Sequence, residues 1–137
     1  MTMDGLARSY IAKAQARLRV LGILLDAGDY SDVVREAQEA VELALKALLR
    51  AHGVEPLKFH DVSLQLEENK GRFGDEATQE LPRLKAISQW LRREREFSFY
   101  GDIDLIPSEQ YSVDDARRAQ DDAQFVVEIV ARGVGGQ

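Results

Sequence analysis

The chain contains no cysteine, only three prolines and a single tryptophan among its 137 residues. Without cysteine there is no disulfide framework and no thiolate to act as nucleophile or metal ligand. The two histidines make a poor donor set for structural zinc, and the sequence calls for no metal and no cofactor. No GxxxxGK[ST] loop is present, which excludes a P-loop nucleotide hydrolase. No apolar run approaches the roughly 20 residues of a membrane span, and the N-terminal stretch lacks the apolar core of a signal peptide. These absences lead to the expectation of a cytoplasmic protein with no membrane association. Positive charge is also scarce. Lysine and arginine total 18 against 24 aspartates and glutamates, a net charge of -6. That balance argues against a general nucleic-acid coat protein, so any handling of phosphate must be local.

What is present is helix after helix. Ala7, Ile11, Ala14, Leu18, Leu21 and Leu25 draw one apolar stripe along a helix predicted from Met3 to about Ala27, which Gly28 can stop. Asp29 and Ser31 offer N-caps for a second helix from about Ser31 to Ala51, with Val34, Ala37, Val41, Ala44, Leu45 and Leu48 as its stripe. A short third helix is expected to begin after Asp61 and end near Asn69, although Val62, Leu64 and Leu66 also alternate as a strand would. The fourth begins near Glu76 or at Pro82, whose fixed φ suits a first turn, and buries Leu84, Ile87, Trp90 and Leu91. Ser112 and Asp115 resemble a capping box for the last helix, whose stripe is Ala116, Ala119, Ala123, Val126, Val127 and Val130. The fold class is therefore all-α: an antiparallel four-helix up-and-down bundle with an additional short helix. It forms one domain over residues 1 to 132, with 133 to 137 as a C-terminal tail.

The candidate site lies in Leu-Arg-Arg-Glu-Arg-Glu-Phe-Ser-Phe-Tyr-Gly-Asp, from Leu91 to Asp102. Arg92, Arg93 and Arg95 sit at the end of the predicted fourth helix, followed at once by Ser98, Phe99 and Tyr100. Guanidinium matches phosphate oxygens bidentately, so this cluster can handle a phosphate. Basic residues near a helix C-terminus also stabilise its dipole, and an aromatic pair there can simply plug the end of a bundle.

The ordered set of features resembles the HEPN domain family, helical partners of minimal nucleotidyltransferases and relatives of the HEPN ribonucleases. The resemblance rests on the acidic, Ala-rich stretch from Ala37 through Glu39, Glu42 and Lys46 into Lys-Ala-Leu-Leu. It continues in Gly53, His60-Asp61, Arg93 to Gly101, Pro107-Ser108 and Tyr111-Ser112 leading into an Ala-rich last helix. It spans about residues 5 to 132. The family motif is an Arg followed a few residues later by a His, often with a Tyr just beyond. Arg93 and Tyr100 hold the places of the Arg and the Tyr, but Ser98 stands where the His would. The resemblance implies metal-independent RNA cleavage with Arg and His paired across a dimer interface. The missing imidazole removes the group that titrates near neutrality, which activating a ribose hydroxyl or protonating a leaving oxygen requires.

Other residues bear on the same work. His60, opening a different helix, fits a structural role better than a catalytic one, and His52 reads as a surface residue compatible with the helix dipole. Glu39 and Glu42 lie one turn apart, and either can face the cleft and orient Arg93 or pair with Lys46, Glu39 being favoured for the cleft. Three functions compete. The first is a nuclease-degenerate HEPN protein of a toxin–antitoxin-like two-gene module. It dimerises, binds a nucleotide through Arg92, Arg93, Arg95 and Glu39, or binds a separate nucleotidyltransferase that modifies Tyr100. The second is a metal-independent endoribonuclease toxin acting on RNA through Arg93, Ser98 and Tyr100. The third is a noncatalytic binding module. The first carries the expectation of a homodimer with Arg93 and Tyr100 lining a cleft near its interface.

Overall fold

The structure is a computed structural model and describes residues 3–58, 62–100 and 111–135, with side chains described over 5–58, 62–94 and 111–134. Five helices follow in order: α1 (Met3–Asp26), α2 (Tyr30–Ala51), α3 (Val62–Glu68), α4 (Asp75–Tyr100) and α5 (Val113–Gly135). The four long helices form the up-and-down bundle and α3 is the added short one. α2 packs on α1, α4 and α5, and α5 packs on α1, α2 and α4, whereas α1 and α4 do not meet among the described residues. The cross-section is thus a rhombus: α2 and α5 share the short diagonal, with α1 and α4 on opposite flanks.

Composition explains the short diagonal. Ala37, Ala40, Ala44 and Ala47 on α2 and Ala116, Ala119 and Ala123 on α5 are all buried, and such small side chains let helix axes approach closely. Leu45, Leu48, Leu84, Leu91, Val126 and Val130 fill the space around them, each fully shielded from solvent. The apolar stripes of α2 and α5 fall inward as the periodicity requires. In α1, Ala7, Ile11, Ala14 and Leu21 are buried while Leu18 and Leu25 pack at the margin.

The loops close with ordinary devices. Gly28, Gly53, Gly71 and Gly74 all have positive φ, and at the first two the backbone turns sharply out of α1 and α2. Buried Gln65 accepts the amide of Leu57 at 2.9 Å and donates to the carbonyl of Glu55 at 2.9 Å, which fastens the segment after α2 onto α3. α3 is tied to α4 by Lys85 Nζ and Glu67 Oε2 at 2.9 Å. Hydrogen bonds from Lys70 and Lys85 hold the Glu67 carboxyl below its usual range. This tether is therefore complete at neutral pH and is lost as the pH falls through the lowered folded-state value.

α3 is the helix expected; its strand-like alternation does not carry into space, because Val62 and Leu66 are buried but Leu64, 66% exposed, points outward. Other expectations are corrected. α4 starts at Asp75, one residue before the Glu76 start, so the alternative start at Pro82 is set aside and that residue lies inside the helix. The helix passes through Pro82 by giving up one backbone bond, to the carbonyl of Thr78, with Leu81 and Leu84 buried on either side. Asp29 occupies the N-cap of α2 but makes no side-chain capping bond. α5 runs through Gly133 to Gly135 and buries Val134, beyond the boundary set at residue 132.

The α5 start matches its reading. The amide of Ser112 donates to Asp115 Oδ2 at 2.9 Å and the amide of Asp115 donates to Ser112 Oγ at 3.1 Å, so the shorter carboxylate closes the reciprocal pair. Ser112→Ala is expected to destabilise the fold by about 1 kcal/mol and lower the thermal midpoint by roughly 3 °C, read by circular dichroism, with Ser112→Thr close to native.

Candidate functional site

The site is built on the margin of α2 that meets α4. At about 100° per residue, Gln38, Glu42 and Lys46 form one row beside the buried Ala37–Val41–Leu45 line. Gln38 is buried and donates from Nε2 to Glu42 Oε2 at 2.9 Å. Lys46 Nζ lies 3.6 Å from Glu42 Oε1, and Arg92 Nη1 approaches the same oxygen at 4.0 Å from α4. One half-buried carboxylate therefore gathers an amide from its own helix and cations from two helices, satisfying the partner that a carboxylate removed from water requires.

Glu42 is a carboxylate that meets an α4 arginine, and its partner is Arg92 where the sequence pointed to Arg93. Glu39 is half-buried and lies farther around α2 from the core. Arg93 is exposed, one residue beyond the paired arginine. Arg92 keeps most of its donors available, because a contact at the 4.0 Å limit engages a single Nη1.

α4 does not end at the arginines but continues to Tyr100. Positions 93 and 100 thus fall nearly in line on one helix, about two turns apart, and position 98 is well around it. The side chains of Arg95, Ser98 and Tyr100 lie outside the described residues, as do His60 and Asp61. The chain returns to α4 at Tyr111, whose hydroxyl donates toward the carbonyl of Glu94 at 2.9 Å and sits 3.2 Å from Glu94 Oε2. Buried Tyr111 therefore fixes the approach to α5 one residue past Arg93.

The flank between α4 and α5 carries contacts that sequence reasoning missed. Arg132 bonds Glu76 at 3.1 and 3.3 Å. Arg83 stacks over Phe125 at 3.6 Å, and Arg118 stacks over Trp90 at 4.1 Å. Trp90 Nε1 donates to Asp122 Oδ2 at 2.9 Å. Glu76, Arg83 and Trp90 are spaced one heptad apart, and so are Arg118, Phe125 and Arg132 in the opposite direction. That matched spacing was the available signal. These rungs align the two helices and fix the rotation of α4, which is what sets Arg92 toward Glu42.

His52 is more than a surface residue. It caps α2, its Nδ1 carries the hydrogen donated to the carbonyl of Leu48 at 2.8 Å, and its ring meets Phe73 edge-on at 5.3 Å. Among the described residues no group of three or more His, Asp or Glu is placed to hold a metal ion, and no helix is long and apolar enough to cross a membrane.

An all-helical bundle with an arginine cluster on α4 facing an alanine-rich α2 defines the class. Residues 7–133 match the HEPN domain, and the chain belongs to that family. It is 25% identical over 134 residues to the Methanocaldococcus jannaschii protein named "Putative toxin MJ1304", covering 90% of this chain and 85% of the relative. The crystal structure of TT1696 from Thermus thermophilus has the same fold, with a TM-score of 0.75 at 23% identity over 93% of this chain and 97% of that one.

The geometry predicts an asymmetry. Glu42→Ala removes the acceptor shared by Gln38, Lys46 and Arg92 and is expected to cost about 1–2 kcal/mol in urea denaturation. Arg92→Ala, losing a long half-exposed ion pair, is expected to stay within about 0.5 kcal/mol of native.

Proposed function

We propose that this HEPN protein is a toxin-type member of a two-gene module that engages phosphate at the α2–α4 margin without cleaving RNA efficiently. The observation that carries the reading is the placement of Arg92 on the Glu42 carboxylate with exposed Arg93 beside it. A cation held at one point with donors to spare, next to a second cation open to solvent, suits the phosphodiester of RNA or the phosphate of a nucleotide. The name of the archaeal relative supports the toxin-type assignment.

Efficient cleavage needs a proton acceptor at the attacking hydroxyl and a donor at the leaving oxygen. Arginine can only offset charge growing on the phosphate. Serine at position 98 supplies no group that titrates near neutrality. Binding and cleavage therefore separate in this protein. A separate minimal nucleotidyltransferase is the proposed partner, with Tyr100 as the acceptor of its nucleotidyl group. The added phosphate would occupy the cationic ground beside Arg93 and close it to RNA.

The test is RNA binding and cleavage in EDTA by the native protein, Arg93→Ala and Ser98→His. The native chain is expected to bind RNA without cutting it, and Arg93→Ala to weaken binding about tenfold. Ser98→His is expected to gain metal-free cleavage. Cleavage by the native chain that disappears in Arg93→Ala would contradict the proposal and identify an active ribonuclease.

A further inference from the structure

Several cations of the bundle donate directly to a carboxylate. Arg17 reaches Glu36 at 2.8 Å, Lys85 reaches Glu67 at 2.9 Å, and Arg50 forks onto Glu55 at 3.0 and 3.1 Å. The cluster around Glu42 is built differently. Gln38 Nε2 anchors Glu42 Oε2 at 2.9 Å, while Oε1 faces Lys46 Nζ at 3.6 Å and Arg92 Nη1 at 4.0 Å. Both of those separations exceed a hydrogen bond, so neither cation engages its donors on this oxygen. One carboxylate also cannot neutralise two full positive charges.

An ordinary helical pair four residues apart accounts for Glu42 and Lys46 by themselves. It does not account for a second cation that arrives from α4 at the same oxygen. Lys46 and Arg92 repel each other, yet they converge on one point. That point is reachable from solvent, since the side chains of Lys46, Arg92 and Glu42 are 30%, 32% and 23% exposed. We propose that Lys46 is a phosphate-binding residue, which together with Arg92 clamps a single phosphate group between α2 and α4. This inference rests on the phosphate reading above and adds to it a ligand from α2.

Both cations lie within 4.0 Å of one oxygen atom, so a tetrahedral phosphate on the solvent side of that oxygen reaches both. Arg92 offers N–H groups in a rigid plane, and Lys46 offers a compact charge with three rotatable donors. Glu42 has a positioning role. Anchored by Gln38, it holds the two cations close together before a ligand arrives, and its charge offsets only one of them. The excess positive charge at this margin stands out in a chain of net charge -6.

The test is fluorescence anisotropy of a labelled, non-cleavable 2′-O-methyl oligouridylate in EDTA over a series of salt concentrations. An exposed helical pair contributes little to stability, so Lys46→Gln leaves the fold intact. That variant is expected to bind about fivefold more weakly than the native chain, with a shallower dependence of log affinity on log salt. Lys46→Arg is expected to stay within about twofold of native, because it keeps the charge. Lys13→Gln on α1 removes the same charge elsewhere and is expected to leave affinity and salt dependence unchanged. The double variant Lys46→Gln with Arg92→Gln is expected to lose less than the product of the two single losses, since both cations hold one phosphate. A fully multiplicative loss would place them on separate phosphates and overturn the clamp. Native-like binding by Lys46→Gln, with Arg92→Gln or Arg93→Ala still weakened, would overturn the role of Lys46 and leave the phosphate site to the arginines. No saturable binding by the native chain would overturn both readings together.

Discussion

The close approach of α2 to α5 is the constraint on which the rest of the molecule depends. Four alanines on α2 and three on α5 are buried, and the two helices form the short diagonal of the rhombus. A helix buried against three neighbours has little perimeter left for polar groups. On α2, the margin beside α4 is the narrow strip held by Gln38, Glu42 and Lys46. A carboxylate placed there cannot reach bulk water freely and takes cations from its surroundings, so the alanine packing indirectly fixes where Arg92 must stand. Enlarging Ala40 or Ala44 would push the axes apart and move that strip relative to α4.

α4 is held differently. It shares its core side with α2, but its register along α5 is set by discrete rungs: a bidentate ion pair, two stacked guanidinium–aromatic pairs and the Trp90–Asp122 hydrogen bond. Each is worth on the order of 1 kcal/mol or less at an exposed site, so they orient the helix more than they stabilise it. The Tyr111 hydroxyl adds a fastening at Glu94, beside the arginines. The outcome is a pair of arginines, Arg92 and Arg93, on a helix of defined rotation.

Much of this architecture is legible in the residues. The three-and-four spacing of apolar positions locates α1 and α2 to within a residue and α5 to within three, because core burial dominates their composition. In α3 too few turns are present for the helical period to exclude alternation at Leu64, and the helix expected there is present. At Pro82 the sequence allowed a second possible start for α4, but packing of Leu81 and Leu84 outweighs one lost backbone bond and the helix runs through. The arginine cluster is visible as a cluster, but its pairing is not. Placing Glu42 against Arg92 requires knowing how far the buried arc of α2 extends toward α4, and that depends on several neighbours at once. Choosing Arg92 over Arg93 requires the rotation of α4, set by partners on α5 that lie far away in sequence.

The account places phosphate recognition at Arg92 and Arg93 and assigns Arg83, Arg118 and Arg132 to structure. The most direct test follows the side-chain Nε–Hε resonances of the arginines by NMR while a short RNA is added without metal. The account predicts that Arg92 and Arg93 shift together in a saturable manner while Arg83, Arg118 and Arg132 stay in place. Shifts centred on Arg83 and Arg118, with Arg92 and Arg93 unmoved, would contradict it and relocate binding to the α4–α5 flank.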